Sequence, residues 1–463
     1  MTRLILTAFI GLALAGPAGA SQLLTLDVDA AVDMALENNH AVHQALAKVE
    51  EASAGRGAAF GSFLPQLSAS GSYYRMGTVN TFEMAVPIVQ PLPVPVYDPQ
   101  GNLIGFTDSI PMTVGADTMV LEMGGAGNFA ITGTADWAFF TWGKILNAYR
   151  IAGIALDLEQ EGLRLANSQV RTQAIEGFYG AMLARRMASL MQESYDQLEK
   201  HVKQVEVLYD NGLATGLDTR RAKVGLTNLT VQLTQMENAA DLAEAALRNT
   251  IGVEPRTDLE LVGDLEFEDW EVELEPAVDS ALANRPELAQ LRGATRMADL
   301  GVRIARTANL PGLFAQFNYS YQNPVGFTPG WGTDWNLLVG AQMPIFTGGT
   351  NLNKLKQAKA QLRQARIALN MVEDGVRLEV EALHGTLAKE EANIELQAAN
   401  VAIAEEALEM AETGYANGLV TNLEFLDTQL ALTQSRVSHL SSLANHRIAK
   451  AKLLQAMGLS EEE

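Results

Sequence analysis

The chain contains the same turn twice. YDNGLATGLDTRRAKVGL begins at Tyr209, and YANGLVTNLEFLDTQLAL begins at Tyr415, 206 positions later (415 minus 209). Both copies place Asn-Gly-Leu after a tyrosine, followed by a threonine and an acidic residue that opens an apolar periodic stretch. An internal repeat constrains the fold strongly, because each copy must form the same supersecondary unit. The sequence therefore predicts a tandem duplication.

Further matched pairs extend the duplication and locate an insertion. SFLPQLSASGSYY and NLPGLFAQFNYSY match at an offset of 246, whereas FFTWGKILNAYRIA and PIFTGGTNLNKLKQAKA match at 206. The first copy therefore carries 40 extra residues (246 minus 206), all between Tyr74 and Phe140. This segment includes VPIVQPLPVPVYDPQGN, whose prolines exclude a helix or a central strand. We expect a long surface loop there.

The N-terminus indicates an exported protein, and the net charge limits its partners. Residues 1–20 combine Arg3, an apolar stretch and the small residues Ala18, Gly19 and Ala20, the order typical of a secretory signal peptide. A formal net charge of −22 argues against nucleic acid as a partner, because phosphates require a basic face. After the signal there is no apolar run of about 18 residues, so a membrane crossing would require β-strands.

Stretches of good helix formers predict long helices in both copies. The first copy is expected over 21–254 and the second over 277–463, with an acidic linker over 255–276. The predicted helices lie at about 28–60, 144–209 and 218–250, and at about 277–309, 351–415 and 421–457. The longest would extend on the order of 100 Å, which indicates a coiled-coil arrangement. A solid rod of packed helices explains these segments equally well.

Between the helices, the hydrophobic period changes to that of a strand. Apolar residues from Leu313 to Tyr321 and from Trp335 to Met343 alternate with polar ones, as they do around Ile131. We predict β-hairpins over about 66–140 and about 312–345. Such alternation, with aromatics near the ends, is typical of transmembrane β-strands, although a half-buried soluble hairpin has a similar pattern.

The strand count then predicts an oligomer. Two strands per copy give four per chain, too few to close a barrel, and open sheet edges are costly in hydrocarbon. Three chains would supply twelve strands, enough for a water-filled lumen. The predicted fold is mainly α with a membrane β-barrel part, in which a homotrimer surrounds both a barrel and an α-helical tunnel.

The order of these features resembles the TolC-type outer-membrane efflux proteins, or outer membrane factors. The resemblance rests on the duplication, the two helix-to-strand junctions quoted above, Gly143 and Gly349 at the strand-to-helix junctions, and the turns at Tyr209 and Tyr415. It covers essentially the whole mature chain. A soluble periplasmic scaffold or adaptor is the alternative class, and an enzyme is the least supported because no catalytic motif is present.

The resemblance implies a passive exit duct in the outer membrane, with a long periplasmic tunnel and no cofactor or metal. Its periplasmic tips would open like an iris. An inner-membrane pump of the RND, ABC or MFS type would drive efflux or type I secretion through a periplasmic adaptor. The exposed turn residues Gly212, Leu213, Gly418 and Leu419 are the expected adaptor-docking tips.

The resemblance also assigns four site residues. Glu424 and Asp427, three positions apart on one helix face, match an acidic ring at the tunnel aperture. Tyr415 and Asp218 match a lock that holds the tip closed, while the arginine of that lock is replaced here by Val420. Structural roles remain open, since Glu424 also fits a helix capping box with Thr421 and Tyr415 fits a packing aromatic.

Overall fold

A computed structural model describes residues 23–123, 126–326, 328 and 330–459. The predicted signal peptide over 1–20 lies outside these described residues. The chain divides into two compact units. One unit comprises the residues up to 55, 152–299 and those from 359 onwards, and the other comprises 56–151 and 300–358. Each unit therefore takes segments from both predicted copies.

Eight α-helices are described, and their order follows the prediction. They are α1 (Val28–Asn38), α2 (His40–Gly61), α3 (Lys144–Asp210), α4 (Gly216–Ile251), α5 (Leu274–Asn284), α6 (Pro286–Arg306), α7 (Thr350–Ala416) and α8 (Asn422–Met457). Helices α3 and α7 contain 67 residues each, as expected for the long coiled-coil segments. Within the described part of the chain, none of these helices combines the length and the hydrophobicity that a membrane span requires.

The helices predicted over 28–60 and 277–309 are each broken in two. Asn39 and Arg285, which are 246 positions apart, have extended backbones between consecutive helices. Arg285 precedes Pro286, and the helical conformation is disfavoured for the residue before a proline. Asn39 instead begins the next helix through its side chain, whose Oδ1 accepts a hydrogen bond from the Ala41 amide at 2.9 Å.

Ten strands are described in the same part of the chain. They are β1 (Leu23–Leu26), β2 (Gln66–Arg75), β3 (Asn80–Leu92), β4 (Pro95–Tyr97), β5 (Leu103–Phe106), β6 (Ile110–Met123), β7 (Gly127–Phe140), β8 (Asp258–Leu261), β9 (Gly312–Asn323) and β10 (Gly332–Gln342). The strands β2, β7, β9 and β10 form one antiparallel sheet in the order β10-β9-β7-β2. They are the four strands predicted for the two hairpins, and β2 and β10 are the outer strands of the sheet.

The unit that contains most of the helices is held together by two apolar clusters. In the first, Phe178 of α3 packs with Leu247 of α4 and with Leu26 of β1. In the second, Val380 of α7 packs with Leu453 of α8. All five side chains are almost completely buried, so each contributes roughly 1.5–3 kcal/mol to folding through removal of apolar surface from water.

The acidic linker covers both clusters. Its strand β8 pairs in parallel with β1, and Leu259 of β8 belongs to the first cluster. Trp270 packs against the second cluster. Between them, the Glu268 carboxylate accepts hydrogen bonds from Lys450 and Arg447 of α8, and these two cations lower its pKa. The linker is therefore fastened to α8 by charge as well as by apolar packing.

The expectation of a surface loop between Tyr74 and Phe140 is wrong. This segment forms an antiparallel ribbon of β3 and β6, extended by the short pair β4–β5. Prolines are tolerated because a two-stranded ribbon has only edge strands, in which an N–H can face solvent. Pro87 faces Ala116, and Pro91 faces Pro111. Composition correctly excluded a central strand but did not anticipate an isolated pair.

Candidate functional site

The four-stranded sheet has two chemically different faces. Its register aligns Leu337, Phe317, Ala135 and Leu67 in one row across all four strands. The next row consists of polar residues, namely Asn336, Asn318, Thr134 and Ser68. Because successive residues of a strand point to opposite faces, these two rows lie on opposite sides of the sheet. One face is suited to hydrocarbon and the other to water.

Hydrogen bonds between side chains connect the strands on the polar face. Asn318 donates to the side-chain oxygen of Asn336 at 3.0 Å and accepts from the Thr134 hydroxyl at 2.9 Å. In a neighbouring row, Gln316 donates to the Asp136 carboxylate at 2.7 Å. Such ladders fix the strand register, and the face that they connect is mostly hydrophilic, with Leu338 in the same row as Gln316.

Aromatic side chains cluster at both ends of the sheet. At one end, the rings of Tyr73 and Phe129 are 4.4 Å apart, and those of Tyr321 and Trp331 are 4.9 Å apart. At the other end, two further pairs form, Trp137 with Phe139 and Phe140 with Trp142. This pattern matches the aromatic girdles with which membrane strands meet the two lipid–water interfaces.

The distance between the two aromatic clusters matches a bilayer. The part of β7 between the two clusters, from Phe129 to Phe140, has a length of about 36 Å at roughly 3.3 Å per residue. A strand tilt of about 40° reduces the height to roughly 28 Å, close to the apolar band of about 25 Å that membrane strands present. The sheet therefore has the span as well as the polarity of a membrane-embedded one.

The junctions from strand to helix use residues in the left-handed conformation. Gly348 and Gly349 have φ of 61° and 80° before α7, and the equivalent residues before α3 are Trp142 and Gly143, at 52° and 79°. Trp142 is the one described non-glycine residue with positive φ, a conformation that costs roughly 1–2 kcal/mol. Its indole N–H donates to the Pro311 carbonyl at 2.8 Å and thereby anchors it.

The repeated turns are the connections α3–α4 and α7–α8, here called tip 1 (residues 209–218) and tip 2 (residues 415–424). Each closes its first helix with a glycine at positive φ, Gly212 at 74° and Gly418 at 73°. The following amide, of Leu213 or Leu419, donates back to a carbonyl five residues earlier at 2.8 Å. This pair of features forms a Schellman helix stop.

Both tips begin their second helix with a complete capping box. In tip 2, the Thr421 hydroxyl accepts from the Glu424 amide at 3.2 Å, and the Glu424 carboxylate accepts from the Thr421 amide at 2.7 Å. Thr215 and Asp218 make the reciprocal pair in tip 1 at 3.2 and 3.0 Å. The shorter Asp218, which fits the sequence pattern incompletely, is therefore sufficient.

The residues predicted for the acidic ring are exposed on α8. Glu424 and Asp427 lie one turn apart at its start, and tip 1 carries Arg221 where Asp427 would be expected. The pKa of Glu424 is lowered by the hydrogen bonds that it accepts from the Thr421 amide and hydroxyl. Its capping role and a role for its charge are compatible, because the hydrogen bonds that cap the helix also favour the ionised carboxylate.

A buried polar contact joins the two tips, and sequence analysis did not identify it. Asn422 is 3% exposed. Its side-chain oxygen lies 2.8 Å from Nε2 of His201 on α3, and its amide donates to the backbone carbonyl of Asp218 at 3.1 Å. Burial lowers the pKa of His201, which favours the neutral imidazole. The sequence signal that could have indicated this contact is a difference between the two copies. Ala407 and Gly216 occupy the positions equivalent to His201 and Asn422.

Aromatic rings surround this contact. The His201 ring stacks on Phe425 with centroids 3.8 Å apart, and the Tyr415 ring lies 4.9 Å from His201. Burial raises the pKa of Tyr415, and the negative charge of Asp218 raises it further. The Asp218 carboxylate bonds to Thr215 rather than to Tyr415 within the described residues. The two residues of the predicted lock are thus close enough to interact electrostatically.

The position of the missing arginine has an apolar neighbourhood. Val420 packs with Leu408, Ala411 and Phe425. It also lies against Gly414, where an added Cβ would approach within 2.4 Å of the valine side chain. In tip 1 the equivalent pair is Leu208 and Ala214, so the large and the small residue are exchanged. Tip 2 therefore has close apolar packing at this position.

The residues predicted as adaptor-docking tips lie in exposed turns. Leu213 and Leu419 are 77% and 83% exposed, and each follows its glycine directly. Beside them, an apolar groove of about 540 Å³ runs between α4 and α8, with Leu198 of α3 also among its lining residues. Arg221 and Asp427 are among the groove's charged lining residues. Two leucines in water and an apolar groove provide surfaces that another helical hairpin can cover.

A two-faced membrane sheet, followed in the chain by 67-residue helices with capped tips, defines the class of outer-membrane channels built from strands and coiled-coil helices. The chain belongs to the Outer membrane efflux protein family, whose sequence model matches residues 31–253 and 277–459. The predicted TolC-type resemblance is therefore confirmed. Membership places the protein in the outer membrane, in a family of transport proteins rather than enzymes.

Individual relatives agree with this assignment. The outer membrane efflux protein BepC of Brucella suis biovar 1 is 24% identical over 301 residues, 65% of each chain. The alkaline protease secretion protein AprF of Pseudomonas aeruginosa is 25% identical over 321 residues, 66% of this chain and 64% of AprF. The chain thus spans slightly less than two thirds of the length of these curated relatives. The crystal structure of the Campylobacter jejuni CmeC outer membrane channel superimposes with a TM-score of 0.76 at 16% identity, covering 94% of this chain and 87% of CmeC.

Proposed function

We propose that the protein is the outer-membrane exit duct of a tripartite efflux or type I secretion system. The observation that carries this proposal is the four-stranded sheet, which has one apolar face and whose outer strands have no partner among the described residues. Unpaired amides and carbonyls in hydrocarbon cost several kcal/mol each, so β2 and β10 require partners in the membrane. The neighbouring copies of the same chain are the simplest partners.

A homotrimer satisfies this requirement. With β10 of each copy paired to β2 of the next, three four-stranded sheets close into one barrel of twelve strands, large enough to hold water. The polar rows that contain Asn336 and Thr134 then line the lumen, and the apolar rows contact lipid. The long helices of the three copies continue the same passage as a periplasmic tunnel. The duct itself is passive.

Energy and cargo come from partners. BepC is named an efflux protein and AprF a secretion protein. These names support the expectation from the TolC-type resemblance that an inner-membrane pump drives transport through the duct. We propose that a periplasmic adaptor grips the tips through Gly212, Leu213, Gly418 and Leu419, where the exposed leucines would become buried. The pump is of the RND, ABC or MFS type.

The oligomer and the pore can be tested together. The purified mature chain in detergent should have a native mass of three protomers and should form ion-conducting channels in planar bilayers. A monodisperse single copy that stays soluble without detergent would overturn the duct and favour a soluble periplasmic scaffold. A trimer without conductance would mean that the tips are closed at rest. Conductance would then be measured with the adaptor cross-linked to Leu419.

We further propose that tip 2 forms the aperture and that it opens by an iris-like movement. In a trimer, Glu424 and Asp427 would form two rings of three carboxylates, which attract cations and repel anions. Tip 1 has Arg221 in place of the second acid, so a wholly acidic ring is available to tip 2 alone. The lock consists of Tyr415 and Asp218, supported by the contact of Asn422 with His201.

Neutralising the ring should reduce cation selectivity without unfolding the tip. Glu424→Gln keeps the capping box, because glutamine also accepts from the Thr421 amide. We expect Glu424→Gln and Asp427→Asn each to lower the K⁺ over Cl⁻ permeability ratio about two- to fivefold, and the double variant to remove most of the preference. Reversal potentials in a salt gradient measure this ratio. Asp210→Asn, at the exposed end of tip 1, serves as the matched control.

The pH dependence of the same ratio isolates Glu424. In Asp427→Asn the remaining ring charge is that of Glu424, whose folded-state pKa is lowered. A lowered pKa means that the charge and the capping bond are present above the ordinary pKa of glutamate and are lost only as pH falls through the lower folded value. Selectivity should therefore persist below the ordinary midpoint of about 4.3. Loss of selectivity at or above that midpoint would contradict the capped geometry.

A further inference from the structure

The β3–β6 ribbon belongs to one half of the chain only. It joins β2 to β7 at the end of the sheet opposite the strand-to-helix junctions, and it accounts for the insertion found in the sequence. In the second half, β9 and β10 are joined by residues 324–331 alone. The polar and aromatic features of the sheet do not explain why one strand connection is so much longer.

The two faces of the ribbon differ. The register places Met84 beside Met119 and Leu92 beside Ile110 on one face, and Phe82 belongs to the same face. On this face, called here the apolar ribbon face, Phe82, Met84, Ile88, Leu92, Ile110 and Met119 are 39–56% exposed. The opposite face carries smaller or polar residues, including Thr81, Ala85 and Thr118. Strands in which apolar and polar residues alternate with period two usually pack their apolar face against another surface.

The exposed area is too large for an isolated ribbon in water. Large side chains present about 150–250 Å² each, so half-exposed residues of this number leave on the order of 600 Å² of apolar surface per copy. That equals or exceeds the largest apolar patch of a typical monomer, roughly 300–600 Å². A two-stranded ribbon with nothing packed on it is also only marginally stable. Both facts require an apolar occupant.

Charge argues against a lipid headgroup surface as that occupant. Residues 80–123 contain five acidic side chains and no Lys, Arg or His. A segment without cations is repelled by the phosphates of a membrane surface. Glu83 lies on the opposite face, and Asp98 and Asp108 lie in the connecting turns. The apolar ribbon face is therefore nearly uncharged, with Asp117 as its one described acid.

A second copy of the same face meets these requirements. The proposed trimer places three ribbons at the same rim of the barrel, because each ribbon continues from the outer strand β2 that takes part in the contact between copies. Three copies of the patch provide on the order of 1,800 Å² of apolar surface, comparable to the roughly 1,200–2,000 Å² that stable interfaces bury. The partner is already present at a fixed position, so little additional entropy is lost.

We propose that the apolar faces of the three ribbons pack against one another at the exit of the trimer and restrict it. This inference rests on the proposed trimeric duct. It assigns the insertion an interaction surface whose occupant is the same ribbon of the neighbouring copies. In this arrangement the outer end of the passage is closed by apolar packing, independently of the acidic aperture at the tips.

Cysteine cross-linking tests the contact directly, because the chain contains no native cysteine. Met84→Cys and, separately, Met119→Cys place a thiol on the apolar ribbon face. Val120→Cys places one on the opposite face, and at 54% exposure Val120 is a matched control for Met119 at 49%. On oxidation in outer-membrane vesicles, we expect disulfide-linked dimers from both methionine variants, at least fivefold more than from Val120→Cys.

Each other outcome decides the question. Equal cross-linking of all three variants, or none in a preparation whose native mass is that of a trimer, would overturn the ribbon contact and leave the proposed duct intact. A native mass of one protomer would overturn the trimer itself. A fluorophore on the Met84→Cys thiol that is quenched by brominated lipid would show that lipid covers the face, and would also overturn the proposal.

Discussion

Replacing Leu337 by arginine is expected to remove most of the protein from the outer membrane as an assembled species. Leu337 lies at the middle of β10, is 60% exposed, and belongs to the apolar row that contains Phe317. An arginine on the lipid face near the midplane costs roughly 2–4 kcal/mol in membrane strands. In a trimer the cost occurs three times, and β10 is also the strand that must pair with the next copy.

Asn336→Arg is the matched control for that substitution. Asn336 is the preceding residue of β10, belongs to the polar row and pairs with Asn318. The same side chain would there face the proposed lumen, where water solvates it, so the trimer should assemble normally while its ion selectivity shifts toward anions. The amount of trimer that resists mild detergent in outer-membrane fractions gives the comparison. Equal assembly of the two variants would mean that the apolar row does not face lipid.

Replacing Asn422 by leucine is expected to open the channel. The substitution nearly conserves volume but removes the buried partner of His201 and a part-buried hydrogen bond to the Asp218 carbonyl. Each buried polar group left without a partner costs about 1–3 kcal/mol, and a loss of about 1.4 kcal/mol changes an equilibrium tenfold. If this contact holds the tips together, the open probability in planar bilayers should rise at least tenfold.

Asn417→Leu controls for a general loosening of tip 2. Asn417 is exposed, and its side chain donates only to the Thr413 carbonyl of its own helix at 2.8 Å. Its replacement should leave the open probability within about twofold of the original. Both variants should keep the native mass of a trimer. Their thermal stabilities should be similar, because the Asn422 contact lies at the helix ends. An unchanged open probability in Asn422→Leu would exclude the contact as part of the lock.

Much of the secondary structure was predictable because it depends on local patterns. The helices α3, α4, α7 and α8 end within two residues of their predicted bounds, since Asn-Gly stops and Thr-x-x-acid caps define them chemically. The helix over 277–309 was predicted as continuous, although Pro286 is a sequence signal for the break that the structure has before it. The break at Asn39 has no such signal, because its amide group bonds to Thr250, which is distant in the chain. The boundaries of the two copies at 254 and 277 remain a prediction.

The parts that could not be predicted depend on distant residues. The strand pair β3–β6 has the composition of a loop, and only its cross-strand register distinguishes an apolar face from a polar one. The contact of His201 with Asn422 joins residues 221 positions apart. Neither residue belongs to a motif, and a polar residue inside a helical interface leaves no sign in the hydrophobic period. The acidic ring requires further copies of the chain, so one protomer provides its residues but not its closure.

The double closure of each tip limits how an aperture made from it can widen. With one helix stopped by a Schellman turn and the next begun by a capping box, bending the turn would break several backbone hydrogen bonds at once. Each hairpin must therefore move as a stiff lever. In a helix of 67 residues, about 100 Å long, a rotation of roughly 5° about a pivot some 60 Å away carries the end about 5 Å. Repacking a few side chains along the shaft can thus regulate passage as strongly as any change at the opening itself.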